Sequence, residues 1–282
     1  MKNMKQKNID NSARIYYQGN PGSYMNIASL EIEKGLNVEI TEIKGKPEFI
    51  DVWKSIGKES IGVLAIENSY MGSIHPNLYA FLRYDYKIIG EYYLPINHCL
   101  CSKETDIKKI KKAYSQLPAL DQCYNYLKEK NIFPVAFSDT ALSAKYISET
   151  DEKGLGAICS ERAAKIYNLN ILEKNIQDQQ GNNTRFAIIV PKENGIEYNL
   201  KSNKVSILFE AKNIPASLYK CLGAFATNNV NLTKIESLPS GSGYFSYYFW
   251  LDFKGSLKDE NVKKALEELK FFTSSLKVLG EY

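Results

Sequence analysis

Four short stretches of this 282-residue chain put amides, hydroxyls and a guanidinium where a buried strand begins or ends. The plainest is GNNTRFAIIV, residues 181–190. AIIV is a short apolar run bounded by a turn signal and a proline, so it predicts a fully buried strand. Asn182, Asn183, Thr184 and Arg185 then stand at the edge of a core, and buried polar groups cost free energy unless they find partners. They satisfy neighbouring backbone or they wait for a ligand. LAIENSYMGS, 64–73, ends an apolar strand in Glu67, Asn68 and Ser69, at the carboxyl end where open α/β sheets place ligands. Helix capping by Asn68 or Ser69 is the competing role. YYQGNPGSY, 16–24, joins a strand to a helix through two glycines, and amides at such a helix N-terminus suit an anion. A tight turn explains the glycines equally well. In SQLPALDQC, 115–123, Ser115 ends a strand and Gln122 falls within the next helix.

Composition narrows the chemistry. A hydrophobic content of 44%, a charged content of 24% and a net charge of +4 are those of an ordinary globular protein. No basic stripe with interleaved aromatics appears, which argues against nucleic acid as a partner. No apolar run has the length to span a bilayer, which argues against a membrane partner. The five scattered cysteines fit reduced thiols in a cytoplasmic protein. With only His75 and His98 in the chain, a His-ligated metal centre is not expected. Residues 1–13 are polar and lysine-rich and read as a disordered leader, not a secretion signal.

These stretches must be positioned by alternating elements. From Arg14 to Val190 strand-like and helix-like segments alternate, which predicts α/β architecture with parallel sheets covered by helices. Residues 87–101 form one unusually long extended segment, best explained as a crossover from one lobe to a second. The expected division is a two-lobed α/β unit over 14–190, with lobe 1 at about 14–93 and 168–190 and lobe 2 at about 94–167. Residues 191–203, polar and opening on a proline, read as a linker. The order β-α-β-β-α-β over 204–282, with SGSG as a turn, is that of a ferredoxin-like unit.

YYQGNPGSY, GVLAIENSYMGSI, NIQDQQGNNTRF and NLTKIES, in that order, make the chain resemble the prephenate dehydratases that carry a C-terminal ACT regulatory domain. The resemblance covers residues 14–255. It implies a two-lobed catalytic domain like the periplasmic binding proteins, with the active site between lobes, and a dimer or tetramer. The implied reaction removes water and carbon dioxide from prephenate to give phenylpyruvate in L-phenylalanine biosynthesis. Aromatisation drives it, so neither a cofactor nor a metal is implied. By the same resemblance Thr184 is the threonine needed for activity, its hydroxyl bonding the leaving oxygen. Asn68 and Gln122 match substrate-binding positions with catalytic roles, and Ser115 and Thr140 match polar cleft positions. Arg185 is expected to hold the pyruvyl carboxylate, with Phe186 as an apolar wall and Ser69 and Asn183 beside the substrate. Glu67 is either a buried, protonated acid or a scaffold group paired with Arg185. Gln116 and Met25 depart from the family, which usually shows histidine and a hydroxyl residue there.

In the second domain NIPASLYKCL resembles the loop-helix that holds phenylalanine between ACT domains. The implied effector positions are Asn213, Ala216, Ser217, Leu218, Asn231, Leu232 and Glu236. Ala216 replaces a usual glycine and Leu238 a usual arginine, so weak binding of phenylalanine is expected. Two rivals stay open: arogenate dehydratase, the same elimination on a substrate bearing an amine, and a non-catalytic amino-acid sensor.

Overall fold

A computed structural model describes residues 12–200, 203–240 and 246–282. The chain opens with β1 (Ser12–Gln18), α1 (Tyr24–Glu33), β2 (Glu39–Lys46), α2 (Phe49–Ser55) and β3 (Ser60–Asn68). The two-residue β4 (Gly72–Ser73), α3 (His75–Arg83) and β5 (Tyr86–Pro95) follow. Next come β6 (Cys99–Ser102), β7 (Lys112–Ser115), α4 (Leu117–Asp121), α5 (Tyr124–Glu129) and β8 (Phe133–Ala136). α6 (Thr140–Glu149), β9 (Leu155–Cys159), α7 (Glu161–Ile166), β10 (Asn170–Lys174) and β11 (Asn183–Pro191) complete the first 191 residues. The remainder is β12 (Lys204–Ala211), α8 (Ser217–Thr227), β13 (Leu232–Pro239), β14 (Tyr247–Lys254), α9 (Glu260–Phe272) and β15 (Thr273–Glu281).

Three sheets appear among the described residues. The first runs β2-β1-β3-β11-β5, with β4 on β3; the second runs β10-β6-β9-β7-β8. The long extended segment is two strands, β5 in the first sheet and β6 in the second. The alternation predicts parallel sheets, but neither of these two sheets is purely parallel. β11 runs against β3 and β5, and β6 against β9 and β10. These two strands belong to the crossing segments, so they enter from the other lobe and no covering helix turns them parallel. β10 lies in the second sheet, so residues 170–174 belong with lobe 2 and the chain returns after them, later than position 168. Ser12 and Ala13 are already in β1, which shortens the expected leader, and residues 1–11 lie outside the described residues.

The segment 191–203 is less of a linker than its polarity suggests. Ile196 and Tyr198 are buried in the core of the first lobe beside Ile89 and Ile188. The third sheet is antiparallel, in the order β13-β14-β12-β15. One of its faces holds its own core with Phe225 of α8 and Leu269 of α9. From the other face, Leu208, Leu238, Trp250, Leu279 and Tyr282 join Trp53, Phe81 and Ile189 of the first lobe in one buried cluster. At Gly280 any Cβ would stand 2.1 Å from the Ile88 carbonyl oxygen, so only glycine lets β15 lie this close to β5. The SGSG turn falls largely on 241–245, outside the described residues.

Candidate active site

Between the two lobes lies a cleft of about 380 Å³ at the carboxyl ends of β1, β3, β7 and β8. One wall carries Asn68, Met71, Gly72, Ser73, Ile74, Thr184 and Phe186 from lobe 1. The facing wall carries His98, Gln116, Gln122, Asp139 and Thr140 from lobe 2. Ser23 and Tyr24 at the N-terminus of α1, and Thr140 as the first residue of α6, bring two helix N-termini to the cavity. Among the described lining residues none is lysine or arginine.

Strand geometry decides which predicted residues reach this space. In β11 Thr184 and Phe186 face the cleft and Arg185 the opposite side, as alternation requires. β3 does not alternate simply. Phe186 pairs with Ala65 and Arg185 with Glu67, so Ile66 is an extra residue, a β-bulge. Unbroken alternation from Ala65 would aim Glu67 into the cleft and Asn68 away from it. The bulge reverses the two.

Asn68 then becomes the centre of a network. Its Nδ2 donates to Thr184 Oγ1 at 2.9 Å and to Asn182 Oδ1 at 2.7 Å. Its Oδ1 accepts the amides of Tyr70 and Met71, both at 3.0 Å, which fixes the amide's orientation. Asn182 passes the network across the lobes by donating to Gln122 Oε1 at 3.0 Å. His98 Nε2 lies 2.9 Å from the same oxygen, and its Nδ1 lies 2.9 Å from the Tyr24 hydroxyl. Gln122 Oε1 can only accept, so Nε2 donates to it, while the Tyr24 hydroxyl also donates to the Asn97 carbonyl at 2.7 Å. Burial lowers the His98 pKa, opposed by the Gln122 hydrogen bond. Burial lifts the Tyr24 phenol well above its ordinary value. Gln122 is not inside a helix as expected: α4 stops at Asp121, and Gln122 is its C-cap, with its side chain lining the cleft.

Asp139 is the one carboxyl lining the cleft among the described residues. It caps α6 by accepting the Leu142 amide at 2.7 Å. Burial raises its pKa against the pull of the Leu142 and Ala141 amides.

Five predicted residues stand elsewhere. Arg185 is 3% exposed and belongs to the contact with the C-terminal domain. Its Nε donates to Glu91 at 2.7 Å, its Nη1 to Asp252 at 2.6 Å and its Nη2 to the Tyr282 hydroxyl at 2.9 Å. Burial works against its charge, but Asp252, Tyr282 and Glu91 outweigh that and raise its pKa. Glu67 accepts Lys234 Nζ at 2.8 Å and stands 3.5 Å from Arg185 Nη1. Glu67 thus lies outside the cleft, beside Lys234 and Arg185. Ser115 Oγ is wholly buried and donates to the Ile158 carbonyl, tying β7 to β9. Ser69 Oγ accepts the Asn183 amide, and Asn183 Nδ2 donates to the Gly181 carbonyl, so both close the turn behind the site. Sequence reasoning marked Asn182 at the edge of the core without giving it a role, and missed His98, Tyr24 and Asp139 as cleft-lining residues. Asn182 stood in the quoted run, and Tyr24 closed the quoted YYQGNPGSY; nothing local marked His98.

Of the implied effector positions, Asn213, Ala216, Leu218 and Asn231 are exposed, while Ser217 and Leu232 are half-buried. Ala216 has φ +58° as the N-cap of α8. Glu236 contacts the catalytic unit through Ser73 and His75.

A family model described as "Prephenate dehydratase" matches residues 15–194. An arogenate dehydratase/prephenate dehydratase of Arabidopsis thaliana is 38% identical over 97% of this chain and 72% of its own. A bifunctional chorismate mutase/prephenate dehydratase of Aquifex aeolicus is also 38% identical, over 97% and 74%. Among solved structures, a prephenate dehydratase from Arthrobacter aurescens in complex with L-Phe has a TM-score of 0.82 at 25% identity, covering 96% of this chain and 89% of that one. A protein described as a quorum quenching acylase, GqqA, has a TM-score of 0.81 at 28% identity over 95% and 96%. The cleft between two lobes, with its Asn68–Thr184 centre, is therefore that of a member of the prephenate dehydratase family, to which this chain belongs.

Proposed function

We propose that the enzyme is a lyase that converts prephenate to phenylpyruvate by concerted loss of the ring carboxylate and the ring hydroxyl. The observation that carries this reading is the Asn68–Thr184 hydrogen bond. Asn68 donates to Thr184 Oγ1, so the threonine oxygen serves as acceptor there and its own O–H is left to donate to the departing oxygen. A donor held in place before the reaction stabilises charge as it develops, without reorganisation. Carbon dioxide leaves, its bonding electrons complete the aromatic ring, and hydroxide takes up one proton to leave as water. Asp139, with its pKa raised by burial, is the cleft group able to hold that proton.

With Arg185 engaged elsewhere and no lysine or arginine among the described lining residues, the substrate's carboxylates meet neutral donors: the N-terminus of α1 and the side-chain amides of the cleft, Gln116 and Gln122 among them. This suits the chemistry, because a cation on the ring carboxylate would stabilise the charge that decarboxylation must disperse. Phe186 and Ile74 supply apolar wall for the ring. An acylase reading, prompted by the GqqA likeness, is disfavoured because Thr184 has no basic partner to activate it as a nucleophile among the hydrogen bonds it makes.

The C-terminal sheet with its two helices is read as an ACT regulatory domain of ferredoxin-like topology, with L-phenylalanine as effector and a homodimer or tetramer as the assembly. The likeness to the L-Phe complex over nearly the whole chain supports this. Ala216 makes the expected affinity weak. The five cysteines are buried and free, which supports a reducing, cytoplasmic setting. The deciding experiment incubates purified enzyme separately with prephenate and with arogenate and identifies products. Phenylpyruvate from prephenate supports the reading. Phenylalanine from arogenate alone would assign the enzyme to arogenate, a substrate named for several relatives.

A further inference from the structure

The wall of the cleft formed by residues 71–74 is held from behind by the C-terminal domain. Lys234 of β13, with a side chain only 8% exposed, donates to Ser73 Oγ at 2.7 Å and to Glu67 at 2.8 Å. Glu236, two residues along the same strand, accepts from the Ser73 hydroxyl and stands 3.0 Å from His75 Nε2. Lys234 and Glu236 lie 3.8 Å apart, so the two charges clasp Ser73 between them. Ser73 is paired through β4 with Glu67, and Gly72 with Asn68. Met71 is held by Asn68 Oδ1. Thus one edge strand of the C-terminal sheet fixes the segment that closes onto Asn68, the donor to Thr184.

We propose that Lys234 and Glu236 are positioning residues of the active site, and that the C-terminal domain is a structural part of the catalytic cleft. They touch no substrate. They hold the 71–74 wall, and with it the amide of Asn68, in the geometry that orients the Thr184 hydroxyl. This inference rests on the dehydratase reading for its kinetic consequence, but the clasp itself can be measured without substrate.

The experiment uses the full chain with Lys234→Met, Glu236→Gln and Lys234→Arg, and Lys277→Met as control. Lys277 also bridges the domains, donating to the carbonyls of Phe81 and Tyr84 at the end of α3, away from the cleft wall. Amide hydrogen exchange over residues 70–74 should quicken about tenfold in Lys234→Met and Glu236→Gln, and kcat should fall about tenfold with KM little changed, since small misplacements of this kind cost rate. Lys234→Arg should restore much of both, and Lys277→Met should leave both as in the wild type. If Lys234→Met does not fold, Glu236→Gln, which keeps shape and removes charge, decides alone. Wild-type exchange at 70–74 in both variants overturns the proposal, and so does an equal effect of Lys277→Met. Absence of wild-type turnover on either substrate would refute the dehydratase reading instead, while the exchange result still judges the clasp.

Discussion

At the scale of single residues, three side chains carry different kinds of burden. Asp139 is expected to act protonated. Its folded pKa is raised, so turnover should be highest at low pH and decline as pH rises through that pKa. Asp139→Asn should remove this limb from the pH profile of kcat, and a profile unchanged by the substitution would take the proton-holding role away. His98 shifts the other way: its pKa is depressed by burial, so the stability it contributes is present above its ordinary value of 6.5 and is lost as pH falls through the folded value. Thermal unfolding followed between pH 7 and pH 5 should therefore show a falling midpoint, and His98→Gln should flatten that slope. Arg185 is a matter of stability. Arg185→Met leaves Asp252 and Glu91 facing a lost cation in a buried site and should cost about 3–5 kcal/mol in denaturant unfolding. Arg185 was misassigned from sequence because a guanidinium next to Thr184, the threonine to which the resemblance gives the catalytic role, looks like an anion clamp. One residue along a strand is the other side of the sheet.

At the scale of elements, what was legible depended on whether the signal was local. The buried strand β11, the helix after YYQGNPGSY and the crossing of the extended segment 87–101 between lobes are written in apolar runs and breakers. The bulge at Ile66 is not. LAIEN reads as an even apolar strand, and only its pairing with β11 shows that Asn68 replaces Glu67 at the cleft. The antiparallel placement of β6 and β11 was equally hidden, since it follows from which lobe a strand enters and not from its residues. The α1 entrance is a third case, ambiguous between anion site and tight turn. The structure shows that Gly22 has φ +90° and that a Cβ there would lie 2.7 Å from Ala163 Cα of α7 in the other lobe. The glycine serves lobe packing, beside Ser160 Oγ, which donates to the Gly22 carbonyl at 2.6 Å. Gly22→Ala should destabilise the protein by about 1–3 kcal/mol from backbone strain and this collision, measured by chemical denaturation.

At the scale of the whole molecule, the same pair of strands presents the reaction on one side and the C-terminal domain on the other. Thr184, Asn68 and Phe186 face the cleft; Arg185 and Glu67 face Asp252, Tyr282 and Lys234. The domain contact is a continuous core, and this changes the meaning of Leu238. Sequence comparison makes it a missing arginine of an effector motif, but it is wholly buried beside Trp250 and Leu279. Leu238→Arg should not restore an effector site; it should destabilise the domain contact by several kcal/mol, on the order of the cost of an unpaired buried charge. Ala216→Gly differs, since Ala216 sits at φ +58°, and relief of that conformation should raise stability by about 1 kcal/mol. Calorimetric titration with L-phenylalanine of the wild type and of Ala216→Gly would then show whether tighter binding follows the glycine alone.

The account's central claim is that Thr184, oriented by Asn68, assists the departing hydroxyl in a dehydratase cleft. Steady-state turnover of prephenate by the wild type, Thr184→Ala and Thr184→Ser, each confirmed folded by thermal melting, tests it most directly. The account predicts phenylpyruvate from the wild type, a loss of about a hundredfold to a thousandfold in kcat for Thr184→Ala with KM changed far less, and substantial recovery in Thr184→Ser. A Thr184→Ala enzyme turning over at near the wild-type rate would contradict it.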